Sequence, residues 1–224
     1  MTLDFSQFPL PVIREEAGFR VLNKPSGLAV LKDNTGATSI QDLYPTQFGE
    51  ASLFVHRIDK GTSGLLMVAR TEKTRAALAR LFSQSGIEKT YLALVWGRPE
   101  REEGLIDLPL EPGRKGRFRV AQPGRGQASR TEYRLLAMGE GVSLIRCRPL
   151  SGRTHQVRIH LAAIGCPLVK DPLYGRERSS PSRDPHLTLH AWKLRFSLPG
   201  TDQMVQVEAP PPDWATPLLI LPNA

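Results

Sequence analysis

Several features are scarce or absent in this sequence, and each absence excludes a class of protein. The two cysteines, Cys147 and Cys166, are too few for a disulfide framework or a cysteine-rich zinc site. The first residues lack the basic patch and apolar run of a secretory signal. The densest apolar runs, such as residues 65–69, are about five residues long, which is far too short to span a membrane. We therefore expect a soluble protein of the cytoplasm.

Positive charge is what the sequence has in excess. Lys and Arg together number 30 against 22 acidic residues, which gives a formal net charge of +8, and 22 of the 30 cations are Arg. Arg presents a planar fork of donors that binds phosphate through two hydrogen bonds and stacks on bases. This balance indicates a nucleic acid, an acidic membrane surface or an acidic substrate as partner. Because 40% of the 224 residues are hydrophobic, the chain can also bury a core.

The apolar pattern predicts one α+β domain with many strands and two principal helices. No repeat or interdomain linker is visible, and the irregular order of strands and helices disfavours a doubly wound parallel sheet. Helices are expected at residues 71–83, where Thr71 is a capping residue, and 154–164, with one further helical turn near 40–43. The expected strands are residues 19–23, 28–31, 53–55, 64–69, 87–96, 131–136, 142–148, 187–196 and 205–208.

The first candidate site is the polar loop that begins at His56 and ends at Gly64. In it Asp59 lies between the cations Arg57 and Lys60, and two glycines allow a ligand to approach the backbone. Neighbouring positive charge keeps a carboxylate ionised, and an ionised, partly desolvated Asp can act as a nucleophile or a base. The alternative is an Asp in a surface salt bridge that caps a turn.

The second candidate site is the start of the helix expected at residues 154–164. A Gly-Arg-Thr turn at 152–154 would offer free backbone N–H groups to an anion. Thr154 and Arg158 are four residues apart and would share a helix face. His155 and His160 are five apart, poorly aligned on a helix and without a nearby acid, so a metal site is disfavoured and hydrogen-bonded histidines are favoured.

Tyr91 and residues 113–131 each have a functional and a purely structural interpretation. Tyr91, on an alternating strand, could act in a site or simply belong to the core. Residues 113–131 contain six cations and no acid, which fits phosphate binding better than a solvated loop. These cations are Arg114, Lys115, Arg117, Arg119, Arg125 and Arg130.

Taken together, the motifs resemble those of the RluA-type family of pseudouridine synthases. The segment His56-Arg57-Ile58-Asp59, followed by Thr62-Ser63-Gly64-Leu65, resembles the catalytic loop of that family. Further similar segments, in the family's order, are Asn23-Lys24-Pro25-Ser26-Gly27, Lys89-Thr90-Tyr91-Leu92-Ala93, Gly152-Arg153-Thr154-His155-Gln156-Val157-Arg158, Asp171-Pro172-Leu173-Tyr174-Gly175 and His190-Ala191-Trp192-Lys193-Leu194. The matches extend from about residue 19 to 197. The sequence departs from the family pattern at Ile58, Lys170 and Leu198.

The resemblance implies an isomerase that converts uridine to pseudouridine in structured RNA, tRNA or rRNA, without cofactor or metal. Asp59 is the implied catalytic carboxylate, and Arg158 is its implied ion-pair partner. Tyr91 is implied to stack on the target uracil, which must be flipped into the pocket. Arg57 would contact the backbone or fill the vacated stack, and Arg153 would bind a phosphate. The remaining candidate RNA-binding residues are His56, Lys89, Thr154, Arg114, Lys115 and Arg117.

The resemblance also implies a domain organisation. We expect a single pseudouridine-synthase-like catalytic domain over residues 1–224, with its core at about 15–210, a large antiparallel or mixed sheet and a few flanking helices. With about 20 residues before the first strand, no separate N-terminal RNA-binding domain is expected, nor an obligate protein partner or membrane, and the protein is expected to be a monomer. The rival hypotheses are an RNA-binding protein whose catalytic function is lost and a metal-dependent hydrolase.

Overall fold

The computed structural model describes residues 9–33, 36–114, 117–175 and 187–220. These residues form two compact units. The first unit joins the described residues up to Glu88 with Ala191–Pro210, and the second joins Lys89–His190 with the described residues from Pro211 onward. The domain bounds expected from the sequence stay a prediction.

Along the described residues, strands and helices follow one another without regular alternation, which confirms the α+β class. In chain order they are β1 (Val12–Glu15), β2 (Phe19–Lys24), α1 (Ile40–Phe48), β3 (Leu53–Phe54), β4 (Ser63–Ala69), α2 (Glu72–Ser83), β5 (Ile87–Trp96), β6 (Glu103–Asp107), β7 (Leu110–Pro112), β8 (Phe118–Val120), β9 (Arg130–Gly139), β10 (Val142–Pro149), α3 (Gln156–Ala163), β11 (Leu189–Ser197), β12 (Met204–Glu208) and α4 (Thr216–Ile220). None of the described helices is long and apolar enough to cross a membrane.

The first unit is built around β4. This strand pairs antiparallel with β2 from Phe19↔Ala69 to Lys24↔Gly64, and it also pairs with β3 and neighbours β11. All its residues from Gly64 to Ala69 are buried, as expected for an unbroken apolar run. Helix α2 begins after Thr71, whose side chain accepts a hydrogen bond from the backbone of Thr74, so the predicted cap is confirmed.

The second unit is built around an antiparallel sheet in the order β5, β10, β9, β6. Strands β7 and β8 form a separate two-stranded hairpin. Residues of β5 and β10 pack with Val157 and Leu161 of α3 in one apolar cluster. From Leu92 onward both faces of β5 are buried, because Leu94 and Trp96 pack into a second cluster.

The strand expected at residues 28–31 is wrong. Only one bridge forms there, between Ala29 and Ser39. The carbonyl groups of Ala29 and Val30 instead accept hydrogen bonds from Ile40 and Gln41 at the start of α1, so they are not available to a sheet. Helix α1 itself is nine residues long and contains Pro45, whereas a single turn was expected.

Several short strands and one short helix were not predicted from the sequence. Strands β1, β6, β7 and β8 and helix α4 have between three and five residues each. Such short segments are defined by their tertiary partners rather than by their own periodicity.

Candidate active-site residues

The loop at residues 55–62 places the predicted catalytic aspartate between β3 and β4 of the first unit. Asp59 is half-buried, Arg57 is exposed and Ile58 between them is buried. The carbonyl group of Asp59 accepts a hydrogen bond from the backbone of Thr62 at 3.0 Å, which closes a turn. The loop is therefore anchored by an apolar side chain before the carboxylate and by a turn after it.

Lys24 holds this loop from within the first unit. Its side chain is fully buried, and Nζ donates to the carbonyl groups of Pro25 and Leu28, both at 2.8 Å, and of Lys60 at 3.0 Å. Burial lowers the pKa of Lys24 to about 7, and the charge of Asp59 acts in the opposite direction. The amine thereby connects the end of β2 to the residue that follows Asp59.

Two other contacts between the same segments reinforce this connection. The backbone of Gly27 donates to the carbonyl group of Lys60 at 2.9 Å, and Oγ of Ser26 donates to that of Gly61 at 2.6 Å. The sequence contained this signal as the Asn-Lys-Pro-Ser-Gly motif, but no role was inferred for Lys24.

His56 is an anchor of the loop in the first unit. Its Nε2 atom accepts a hydrogen bond from the backbone of Met67 on β4 at 2.9 Å. Its ring stacks on that of Phe82 in α2, with centroids 4.2 Å apart. The first residue of the motif is thus held by a strand and by a helix, while its expected role in RNA binding stays a prediction.

In the second unit, Lys89 and Tyr91 lie two residues apart on β5 and therefore face the same side. Lys89 donates from Nζ to the carbonyl group of Ser151 at 3.1 Å, and burial lowers the pKa of its amine. Tyr91 is half-buried and packs against the apolar cluster beneath α3. The core contact of Tyr91 is therefore confirmed, while its role in a site stays a prediction.

The turn before α3 is organised by Gln156. Its Oε1 atom accepts hydrogen bonds from Oγ of Ser151 at 2.8 Å and from the backbone of Arg153 at 3.1 Å. Its Nε2 atom donates to the carbonyl group of Arg130 at 2.9 Å and to Oγ1 of Thr131 at 3.0 Å. Gln156 therefore fixes the exposed turn at residues 152–154 to the start of β9.

The shared helix face expected for Thr154 and Arg158 is wrong. Helix α3 begins at Gln156, and Thr154 lies before it in the exposed turn. Between them His155 has a φ of 57°, the left-handed conformation, so the backbone changes direction before the helix starts. Thr154 and Arg158 are consequently not on a common helical surface.

Arg158 forms a buried, two-pronged ion pair with Asp171. Nε of Arg158 donates to Oδ2 and Nη2 donates to Oδ1, each at 2.8 Å. Burial alone would raise the pKa of Asp171, but the hydrogen bond and charge of Arg158, together with backbone hydrogen bonds from Leu173 and Tyr174, outweigh it, so the pKa is lowered. The motif that contains Asp171 was visible in the sequence, but its role as a partner of Arg158 was not inferred.

The two histidines near α3 have different hydrogen-bond partners. Nδ1 of His155 is 2.9 Å from the hydroxyl of Tyr174. The ring of His160 is hydrogen-bonded to Oγ1 of Thr131 at 2.8 Å and to the carbonyl group of Leu108 at 3.0 Å. Burial lowers the pKa of His160, so the neutral ring is favoured. Both are hydrogen-bonded, as the favoured alternative predicts.

The basic segment at residues 113–131 begins directly after β7 and contains β8, so part of it is regular structure. Arg114 and Arg117 are exposed between the two strands, whereas Lys115 lies outside the described residues. Arg119 pairs with Glu111 across the hairpin at 2.8 Å. All three arginines are therefore exposed, and one of them, Arg119, is paired with an acid.

Comparisons with known proteins agree on one family. The family of RNA pseudouridylate synthases matches residues 18–163. Ribosomal large subunit pseudouridine synthase D of Nitrosomonas europaea is 38% identical over 94% of this chain, and the match spans 64% of that relative's length. The dual-specificity RNA pseudouridine synthase RluA of Yersinia pestis is 33% identical over 88% of this chain and 98% of its own.

A solved structure extends the similarity to three dimensions. Human RNA pseudouridylate synthase domain containing 1 superposes with a TM-score of 0.79 and 27% identity, covering 93% of this chain and 86% of its own.

Proposed function

This chain belongs to the family of RNA pseudouridine synthases, enzymes that isomerise uridine in RNA, and we propose that Asp59 is its catalytic carboxylate. The resemblance inferred from the motifs is thereby confirmed at the level of the family. The role of Asp59 is supported by the way in which its loop is held. A half-buried carboxylate lies in a segment that Lys24, Ile58 and His56 hold in place. Such preorganisation is what a group reacting at a fixed atom needs.

We propose roles for Arg158 and Tyr91 in the same reaction. Arg158 donates two of the five N–H groups of its guanidinium to Asp171. A guanidinium stays charged throughout the accessible pH range. We propose that this charge pairs with the catalytic carboxylate. The half-buried Tyr91 supplies an aromatic ring on which a uracil can stack.

We propose that the RNA is bound through cations of the exposed turns. Base flipping costs a few kcal/mol of unstacking, which phosphate contacts and stacking offset. Arg57, Arg153, Arg114 and Arg117 are all exposed in the described structure. The names of the relatives point to ribosomal RNA for one of them, and we extend this to stem-loops of tRNA or ribosomal RNA for the present chain.

The decisive experiment is release of tritium from RNA labelled at C5 of uridine, since C5 loses its hydrogen when it bonds to the sugar. We expect release by the wild-type protein and a decrease in rate of at least about a thousandfold for Asp59→Asn. The matched control is Asp202→Asn, which removes an exposed carboxylate from the same unit and should retain full activity.

Three outcomes would contradict the proposal. Binding of RNA without release by the wild-type protein would favour a binding protein that lacks catalytic function. Undiminished release by Asp59→Asn would remove Asp59 from the chemistry. Activity abolished by a chelator and restored by metal would favour a metal-dependent mechanism instead.

A further inference from the structure

The ion pair of Arg158 and Asp171 is buried in the second unit. The two side chains are 6% and 1% exposed. Oδ1 of Asp171 also accepts hydrogen bonds from the backbone of Leu173 at 2.9 Å and of Tyr174 at 3.1 Å. The carboxylate thus fixes both the guanidinium and the turn that contains Tyr174.

Tyr174 connects the Arg158–Asp171 pair to the β7–β8 hairpin. The Arg158 guanidinium carbon lies 5.2 Å from the centre of the Tyr174 ring, within cation–π range. At the other end of the side chain, the hydroxyl accepts a hydrogen bond from the backbone of Phe118 at 3.1 Å. Phe118 opens β8 and directly follows the exposed Arg117.

His155 completes the connection from α3. Its Nδ1 atom shares a hydrogen bond with the Tyr174 hydroxyl, and its ring meets those of Phe118 and Tyr174 edge-on, with centroids 6.4 and 5.6 Å apart. A two-stranded hairpin is only marginally stable by itself, so each tertiary contact has a large influence on its position. The Tyr174 hydroxyl supplies one such contact, through Phe118, and joins it to His155 at the same atom.

We propose that Tyr174 is a positioning residue that fixes the basic hairpin, defined as β7 and β8 with Arg114 and Arg117, relative to the Arg158–Asp171 pair. Arg117 then presents its charge to an RNA phosphate at a fixed place with respect to Arg158. This inference rests on the proposed function only in taking RNA as the ligand of the hairpin.

The first test measures the hydrogen bond directly, in the absence of RNA. In Tyr174→Phe we expect the Phe118 amide to exchange with solvent about fivefold faster by nuclear magnetic resonance, as the removal of one hydrogen bond implies. Tyr133→Phe is the matched control, because it removes the hydroxyl of another half-buried tyrosine of the same unit, on β9. Unchanged exchange at Phe118 in Tyr174→Phe would overturn the proposal.

The second test is a double-mutant cycle on RNA affinity, measured by fluorescence anisotropy with a labelled stem-loop RNA that has a uridine in its loop. Arg117→Ala should weaken binding about fivefold in the wild type but less than about twofold in Tyr174→Phe, because the hairpin is then already displaced. The Tyr133→Phe background should preserve the full effect. Equal effects of Arg117→Ala in all backgrounds would overturn the proposal.

The outcomes separate this inference from the proposed function. Coupling between Tyr174 and Arg117 without tritium release would support the positioning role and contradict the catalytic proposal. Tritium release without coupling would do the reverse.

Discussion

Lys24 has an environment very different from that of a free side chain. Its amine is buried, and three backbone carbonyl groups accept its three hydrogen bonds. Folding removes the group from water, which lowers its pKa from 10.5 to about 7. The unfolded chain therefore binds more protons than the folded chain between these two values, so that stability rises with pH in this range.

We predict that Lys24→Met removes this pH dependence. Above pH 7, the free energy of unfolding of the wild type minus that of the variant should rise by up to about 1.4 kcal/mol per pH unit. Below pH 7 the difference should be constant, because Lys24 is then protonated in both states. Urea unfolding of both proteins from about pH 5.5 to 9.5 checks this, since other titrating groups cancel in the difference. A constant difference across the whole range would contradict it.

At the scale of elements, the loop at residues 55–62 depends on how β4 begins. Gly64 follows the loop with a φ of +100°, which a residue with a Cβ rarely adopts. A methyl group there would also overlap the backbone of Ala191 on β11. Both observations make glycine a requirement of the close approach between the two strands in the first unit.

We predict that Gly64→Ala destabilises the protein by about 2–5 kcal/mol, the sum of backbone strain and overlap. Gly97→Ala is the matched control, because Gly97 has a similar positive φ of +78° but no atom lies within 4 Å of its added Cβ. The control should be destabilised by only about 1–2 kcal/mol. Urea unfolding measures both, and equal destabilisation would show that the backbone of Ala191 has no influence.

At the scale of the whole molecule, the cations that give the net charge of +8 differ in whether an acidic side chain neutralises them. Many arginines are paired with acids, among them Arg20 with Glu15 and Arg158 with Asp171. In the part of the chain that the structure describes, Arg114 and Arg117 form no ion pair. Excess charge is therefore available to a polyanion at the basic hairpin.

We predict that replacing both Arg114 and Arg117 by Ala weakens RNA binding and reduces its salt dependence. The slope of log affinity against log salt should fall by about 0.7 to 0.9, the range from single strands to duplex DNA, for each phosphate that the variant no longer neutralises. The control replaces Arg75 and Arg98, which changes the net charge equally but removes arginines that pair with Glu72 and Glu102. Binding measured from low to moderate salt distinguishes the two, and an equal decrease in the control would remove the hairpin from the binding surface.

Long, strongly patterned segments were predictable from the sequence. The apolar run of β4, the alternation at the start of β5 and the Thr71 cap of α2 are local signals, and the structure reproduces them. The family could likewise be inferred from motif order, because the motifs around Asp59, Tyr91 and Arg158 are contiguous strings.

Partnerships between distant residues were decided only by the tertiary structure. The pairing of Arg158 with Asp171, the hydrogen bonds of Lys24 and the bond from Phe118 to Tyr174 join residues that are up to 56 positions apart. The carbonyl groups of residues 29 and 30 likewise bond to α1 rather than to a strand. The physical reason is that sequence patterns encode backbone periodicity and residue chemistry, whereas a hydrogen bond or ion pair depends on which atoms the folded chain brings within about 3 Å.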